Sequence, residues 1–145
     1  LERWAYQRVC LCLAAACHKS KSSFYGIEQR ESLIDYAETA RDMLRVENVS
    51  FIHGNFTQLN FRDYDHFYFY NSFYENLSGT EKIDDSIEYS RELFNYYNRF
   101  LYKLLDQRPS GTRLATYHSL EDEVPPGYHI VGSEINNLLK FWIKI

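Results

Sequence analysis

The chain has 145 residues, room for one domain around one core. With 45% hydrophobic and 25% charged residues its composition is that of a globular protein rather than a disordered one. A formal net charge of −4 argues against a nucleic-acid surface driven by bulk charge, and no apolar run approaches the roughly 18 residues of a membrane helix.

Residues 8–18 read as a short, almost wholly apolar helix, buried on most sides. It carries all three cysteines, Cys10, Cys12 and Cys17. An odd number confined to one apolar stretch points to buried thiols, not to a disulfide framework or a metal site. Arg3 and Arg8 ahead of an apolar run ending at Cys17 loosely imitate a secretion signal, but Glu2 and Ala14 fit it poorly. We therefore expect a cytoplasmic protein with no membrane partner.

Phe24–Glu28 reads as a short strand ending in an acid. From Gln29 to Arg45, Leu33, Ile34, Ala37, Ala40, Met43 and Leu44 recur at helical spacing. A turn at Val46–Asn48 leads to a second strand, Val49–His53, which ends at Gly54-Asn55-Phe56. Thr57–Asp63 is a connector with room for a helical turn. Tyr64–Tyr70 is a third strand, its aromatics so continuous that both faces should be covered. A polar loop, Asn76–Asp85, precedes a long amphipathic helix, Ile87–Asp106, stopped by Pro109-Ser-Gly111. Thr112–Tyr117 is a fourth strand. Tyr128–Val131 and Leu138–Ile145 are two closing strands, with Ile135 assignable to either or to a bulge. Asp84-Asp85 and Glu121-Asp-Glu123 read as solvated loop acids.

Alternating strands and helices predict an α/β fold: a mainly parallel sheet, right-handed crossovers and helices on both faces. The two closing strands, joined by a short connection, must be antiparallel to one another. The histidines His18, His53, His66, His118 and His129 fit no common ligand spacing, so no metal site is expected.

In open parallel sheets, ligands gather at the carboxyl ends of the strands, and three such ends are chemically loaded here. Glu28 can accept hydrogen bonds from vicinal hydroxyls. Gly54-Asn55-Phe56 offers close backbone approach, an amide and a ring for a base. Asn71-Ser72-Phe73-Tyr74 places a second amide and two further rings at a strand end.

Phe24-Tyr-Gly-Ile-Glu-Gln29, His53-Gly-Asn-Phe56 and Phe69-Tyr-Asn-Ser-Phe73 resemble motifs of the class I S-adenosylmethionine-dependent methyltransferases. The run from Ala14 through Tyr25-Gly-Ile-Glu28 to Tyr36-Ala-Glu38 is most similar to Dot1-type histone-lysine methyltransferase domains and their bacterial relatives. That resemblance implies a Rossmann-like fold with S-adenosyl-L-methionine as cofactor. It makes Glu28 the ribose ligand, with Gln29 and Gly54 beside it. Asn55 takes the place of the acid that contacts the adenine amino group, Phe56 lies beside the base, and Asn71 and Phe73 sit near the methyl group. Tyr74 would line the channel of a methyl acceptor, protein or small molecule. Asn71 to Tyr74 is also similar to the Asn-Pro-Pro-Tyr motif of amino-group methyltransferases, without its prolines.

One departure stands at the front. The family opens with a central strand and a Gly-x-Gly loop, whereas Leu1 to Gln7 contains no glycine and the chain does not start with Met. We therefore expect a single methyltransferase-like domain over residues 1–145, truncated at its N-terminus. The rival readings are a non-catalytic Rossmann-like remnant serving as a binding module, and a different nucleotide-binding α/β protein.

Overall fold

Short runs of aromatic and β-branched residues form the strands, and polar side chains cap the turns between them. The structure, a computed structural model, describes residues 11–19 and 21–145. These fall into two units: the described residues up to Leu59 with Lys82–Glu88, and Asn60–Glu81 with Tyr89–Ile145.

The first unit contains helix α1, described over residues 11–18, then β1 (Phe24–Glu28), α2 (Glu31–Leu44) and β2 (Val49–His53). The two strands pair in parallel from Phe24↔Val49 to Glu28↔His53, so their carboxyl ends finish level. Leu13, Ala16, Val46 and Val49 form its core, with Cys12, Phe24, Ala40 and Phe51 packed against them. Helix α1 is buried along one side only, not on most sides, since Leu11 is 47% exposed and Ala14 is exposed. Cys12 and Cys17 are free thiols, and burial pushes the Cys12 thiol up to about 11. Cys10 lies outside the described residues. The Asn48 amide reaches the carbonyls of Ala16, Lys19 and Ser22, tying the end of α1 to the start of β2.

Helix α2 ends where Arg45 turns left-handed at φ 54°. The N–H groups of Arg45 and Val46 return to the carbonyls of Asp42 and Arg41, a Schellman closure. That turn sends Val46 into the core and leaves Met43 and Leu44 80% and 59% exposed. Both recur at helical spacing with Ala37 and Ala40 but do not share their burial.

The second unit contains β3 (Phe67–Tyr70), α3 (Arg91–Asp106), β4 (Arg113–Tyr117), β5 (Tyr128–Glu134) and β6 (Leu139–Lys144). Its sheet runs β3-β4-β6-β5, parallel at β3–β4 and antiparallel elsewhere. The closing strands are antiparallel, as their short connection requires. Their register shifts between Ile130 and Gly132, which makes Val131 the extra residue of a bulge. Ile135 belongs to neither strand: it opens a left-handed turn with Asn136 and Asn137. Strand β3 begins at Phe67 because Asn60 caps a 3-10 turn, Phe61–Asp63, that Tyr64 closes. Its faces are not both covered, since Tyr68 is 43% exposed.

Helix α3 starts at Arg91, not Ile87, because the Ser90 hydroxyl caps it by accepting from the Leu93 N–H at 3.1 Å. At its other end the Tyr128 hydroxyl and the Lys144 ammonium donate to the Leu105 carbonyl at 3.2 and 3.4 Å. The same carbonyl accepts from the Arg108 N–H at 3.1 Å, so three donors close the end of the helix. Among the described residues no helix is long and apolar enough to cross a membrane.

Inside the sheet the Trp142 indole N–H donates to the Thr116 hydroxyl at 3.0 Å, both side chains being buried. Thr116→Val keeps the volume and leaves that N–H without an acceptor. It should cost ~1–3 kcal/mol in urea unfolding, with little change in the slope of the transition.

Candidate cofactor-binding site

Level parallel strand ends put the chain segments that follow β1 and β2 side by side. The Gly54 N–H donates to the Glu28 carbonyl at 2.9 Å. The Asn55 amide donates to the Gln29 side-chain oxygen at 2.9 Å, and the His53 ring lies 3.0 Å from the Gln29 carbonyl. Glu28, Gln29, Gly54, Asn55 and Phe56, the five residues picked out from the sequence, thus meet at one edge of the first unit.

Each is held for a local reason. The Asn55 carboxamide oxygen accepts from the Thr57 N–H at 3.0 Å and caps a 3-10 turn over Phe56–Gln58. The Gln58 side chain returns the contact by accepting from the Asn55 N–H at 3.1 Å. Gly54 makes room for that reciprocal cap, because a Cβ there would come within 2.8 Å of the Gln58 side-chain oxygen. Phe56 remains half-buried.

The Glu28 carboxylate, 17% exposed, is met on one oxygen by three donors. These are the Gln29 N–H at 2.8 Å, the Arg30 N–H at 3.0 Å and the Arg30 guanidinium at 3.3 Å. Arg30 is itself 3% exposed and donates through Nε to Asp84 at 3.1 Å. Sequence reasoning passed over Arg30 and took Asp84 for a solvated acid, which the ion pair corrects. Burial acts to raise the Asp84 carboxyl, but hydrogen bonds from Ser86 and Arg30 outweigh it and hold the group below the ordinary carboxylate range.

The donor set fits the adenosine half of S-adenosylmethionine. An anchored, partly exposed carboxylate suits vicinal hydroxyls, and an amide and a half-exposed ring stand beside it. Leu1 to Gln7, where the family's glycine loop would fall, lie outside the described residues.

The remaining candidates, Asn71, Phe73 and Tyr74, lie in the second unit. Asn71 is 4% exposed and caps a 3-10 turn, Ser72–Asn76, its oxygen accepting from the Phe73 N–H at 3.3 Å. Its amide nitrogen donates to Glu123 at 3.0 Å and to the His118 carbonyl at 3.4 Å. The Tyr74 hydroxyl reaches the other Glu123 oxygen at 3.5 Å, and the Leu120 N–H donates to Glu123 at 2.8 Å. Phe73 is a core ring, packed between Phe69 and Tyr97 at centroid separations of 4.8 and 5.4 Å.

Glu123 is therefore the organising residue of this cluster, not the solvated acid expected of an acidic loop. It closes the 3-10 turn Glu121–Glu123 and accepts from the N–H of Leu120, the residue that caps that turn. Burial raises its carboxyl pKa, partly offset by the Leu120 N–H. Burial and the neighbouring Glu123 charge likewise raise the Tyr74 phenol.

Solved structures share this fold. A protein of Escherichia coli assigned as a methyltransferase, yhhF, aligns with a TM-score of 0.55 at 10% identity, over 85% of this chain and 63% of that one. A Streptococcus mutans protein, also assigned as a methyltransferase and crystallised with S-adenosylhomocysteine, aligns with a TM-score of 0.52 at 14% identity, over 85% and 76% of the two chains. This chain thus spans less than two thirds of the Escherichia coli protein. No protein-family model and no curated protein matches the sequence. The fold is mixed α/β and Rossmann-like, similar to the fold of these two proteins.

The raised Glu123 pKa has a sign that can be checked. A carboxyl raised by folding contributes stability below its unfolded pKa and loses it as pH rises through the folded value. Glu123→Gln, which can still accept from Leu120 and Asn71, should flatten that decline in urea titrations run from acid to neutral pH. Glu123→Ala, which takes the acceptor from the buried Asn71 amide, should instead cost ~1–3 kcal/mol at neutral pH.

Proposed function

We propose that this chain is an S-adenosylmethionine-dependent methyltransferase acting on an acceptor still to be identified. The observation that carries the reading is the Glu28 carboxylate, fixed at the carboxyl end of a parallel strand by two successive backbone N–H groups. In this reading Glu28 accepts hydrogen bonds from the ribose hydroxyls. Gln29 and Gly54 shape the approach, the Asn55 carboxamide oxygen accepts from the adenine amino group, and Phe56 covers the base. When bound, the cofactor supplies a methyl group made electrophilic by a sulfonium. The protein's own work is to bind, align and exclude water.

Asn71, Phe73 and Tyr74 are proposed for the acceptor side. Asn71 has a carboxamide whose orientation is set by the Phe73 N–H and Glu123, Phe73 packs against Tyr97, and Tyr74 supplies a hydroxyl. The Dot1-type kinship belongs to this proposal, on the run from Ala14 through Tyr25-Gly-Ile-Glu28 to Tyr36-Ala-Glu38. The net charge of −4 gives no particular reason to favour a histone or DNA as acceptor.

The alternative is a non-catalytic binding module of the same fold. It draws on Asn55, which carries no charge where the family has an acid and whose oxygen already caps Thr57. Calorimetric titration of S-adenosylhomocysteine into the folded chain separates the two. The methyltransferase reading expects binding that Glu28→Ala weakens about tenfold or more. A folded chain that takes up no S-adenosylhomocysteine would overturn it in favour of the binding module.

A further inference from the structure

We propose that Arg30 is a positioning residue for the Glu28 carboxylate and that Asp84 is the anchor that aims it, so that the Lys82–Glu88 segment forms part of the cofactor-binding apparatus. The inference rests on the reading of Glu28 as the ribose ligand. It starts from burial. A guanidinium 3% exposed has given up its water and must be satisfied by fixed acceptors. Arg30 meets two carboxylates on separate nitrogens among its partners, Asp84 on Nε at 3.1 Å and Glu28 on Nη1 at 3.3 Å. The guanidinium is planar, so fixing Nε fixes the direction in which Nη1 points.

Asp84 is itself prepared for the role. The same oxygen that receives Arg30 accepts from the Ser86 N–H at 3.0 Å and the Ser86 hydroxyl at 2.6 Å, a local turn that holds the carboxylate before any distant partner arrives. Residues 82–88 belong to the first unit, although the chain on either side of them belongs to the second. The Arg30–Asp84 pair spans 54 positions of sequence and ties this segment to the strand end that carries Glu28.

The consequence for Glu28 is orientational. The last torsion of a glutamate is soft, and two N–H groups following one another along the backbone locate one oxygen without fixing the plane of the carboxylate. A donor arriving on that oxygen from a side chain restricts the remaining rotation. Accepting from two vicinal hydroxyls depends on that plane, so the side-chain donor acts on affinity for the ribose through Glu28 and not by touching it.

The test is a double-mutant cycle read by calorimetry with S-adenosylhomocysteine as the probe, each variant being checked by circular dichroism and thermal melting. Arg30→Met should weaken binding about tenfold in the wild-type background and hardly at all in Glu28→Ala, because the effect passes through the missing carboxylate. Arg30→Lys should restore only part of the loss, since an ammonium cannot bridge two carboxylates through one rigid plane. Asp84→Asn, at a position whose side chain is 38% exposed, should fold normally and weaken binding several-fold. If Glu28→Ala weakens binding but Arg30→Met and Asp84→Asn bind as wild type, the positioning role is wrong and the cofactor reading stands. Equal losses from Arg30→Met in both backgrounds would also overturn it, as they would mark a merely structural residue. If Arg30→Met does not fold, Asp84→Asn decides, and wild-type affinity there sinks the proposal. No binding by the folded wild type removes both readings together.

Discussion

The direct pairing of Glu28 with His53 in a parallel register governs what the first unit can offer. Parallel strands end on the same side, so the segments leaving β1 and β2 must share one edge and settle each other's backbone groups. They do so closely: Gly54 donates to Glu28, His53 meets the Gln29 carbonyl, and Asn55 donates to the Gln29 side chain. A carboxylate, an amide and a ring then share one edge because the register makes them so. No longer-range folding instruction is required.

A second constraint recurs at other chain turns. Asn55 after β2 and Asn60 after the next turn, both in extended backbone, and Asn71 after β3 each cap a single 3-10 turn with the side-chain oxygen. Asparagine and aspartate are equally good at this task. An asparagine at position 55 therefore closes the turn as an aspartate would, without the charge. At position 71 the same capping oxygen faces Phe73, and the amide nitrogen is left to find Glu123. The structural and the chemical duties of these residues fall on different atoms of one side chain.

Features set by near neighbours in sequence were legible in advance. Phe24–Glu28 and Val49–His53 are strands with the bounds their aromatic and β-branched runs predict. The five residues at the edge of the first unit follow from those bounds. What escaped notice depends on partners far along the chain. Asp84 and Glu123 sit in polar, acidic loops, and only the fold brings them to Arg30 and Asn71, 54 and 52 positions away. Periodicity also failed where a local turn changed direction. The left-handed Arg45 swings Val46 inward at the expense of Met43 and Leu44, and the bulge at Val131 with the turn at Ile135–Asn137 reshapes the closing hairpin. Composition cannot distinguish an apolar residue that faces the core from one displaced by a cap.

The Arg30 pair also bears on why such an arrangement would be kept at all. A buried ion pair is weak support for stability, because the desolvation of two charges offsets much of their attraction and an apolar side chain of similar size often packs as well. By that measure Arg30, almost wholly removed from solvent between Glu28 and Asp84, is a costly way to fill space. What an apolar residue could not do is hold a carboxylate in a chosen plane. Glu123 shows the contrast: it is met by an amide, a phenol and a backbone N–H and, among the described residues, by no cation, and its burial favours the proton. Both carboxylates are enclosed by donors. The one beside the proposed ribose site is the one given a rigid, charged partner, and orientation rather than stability is what that partner supplies.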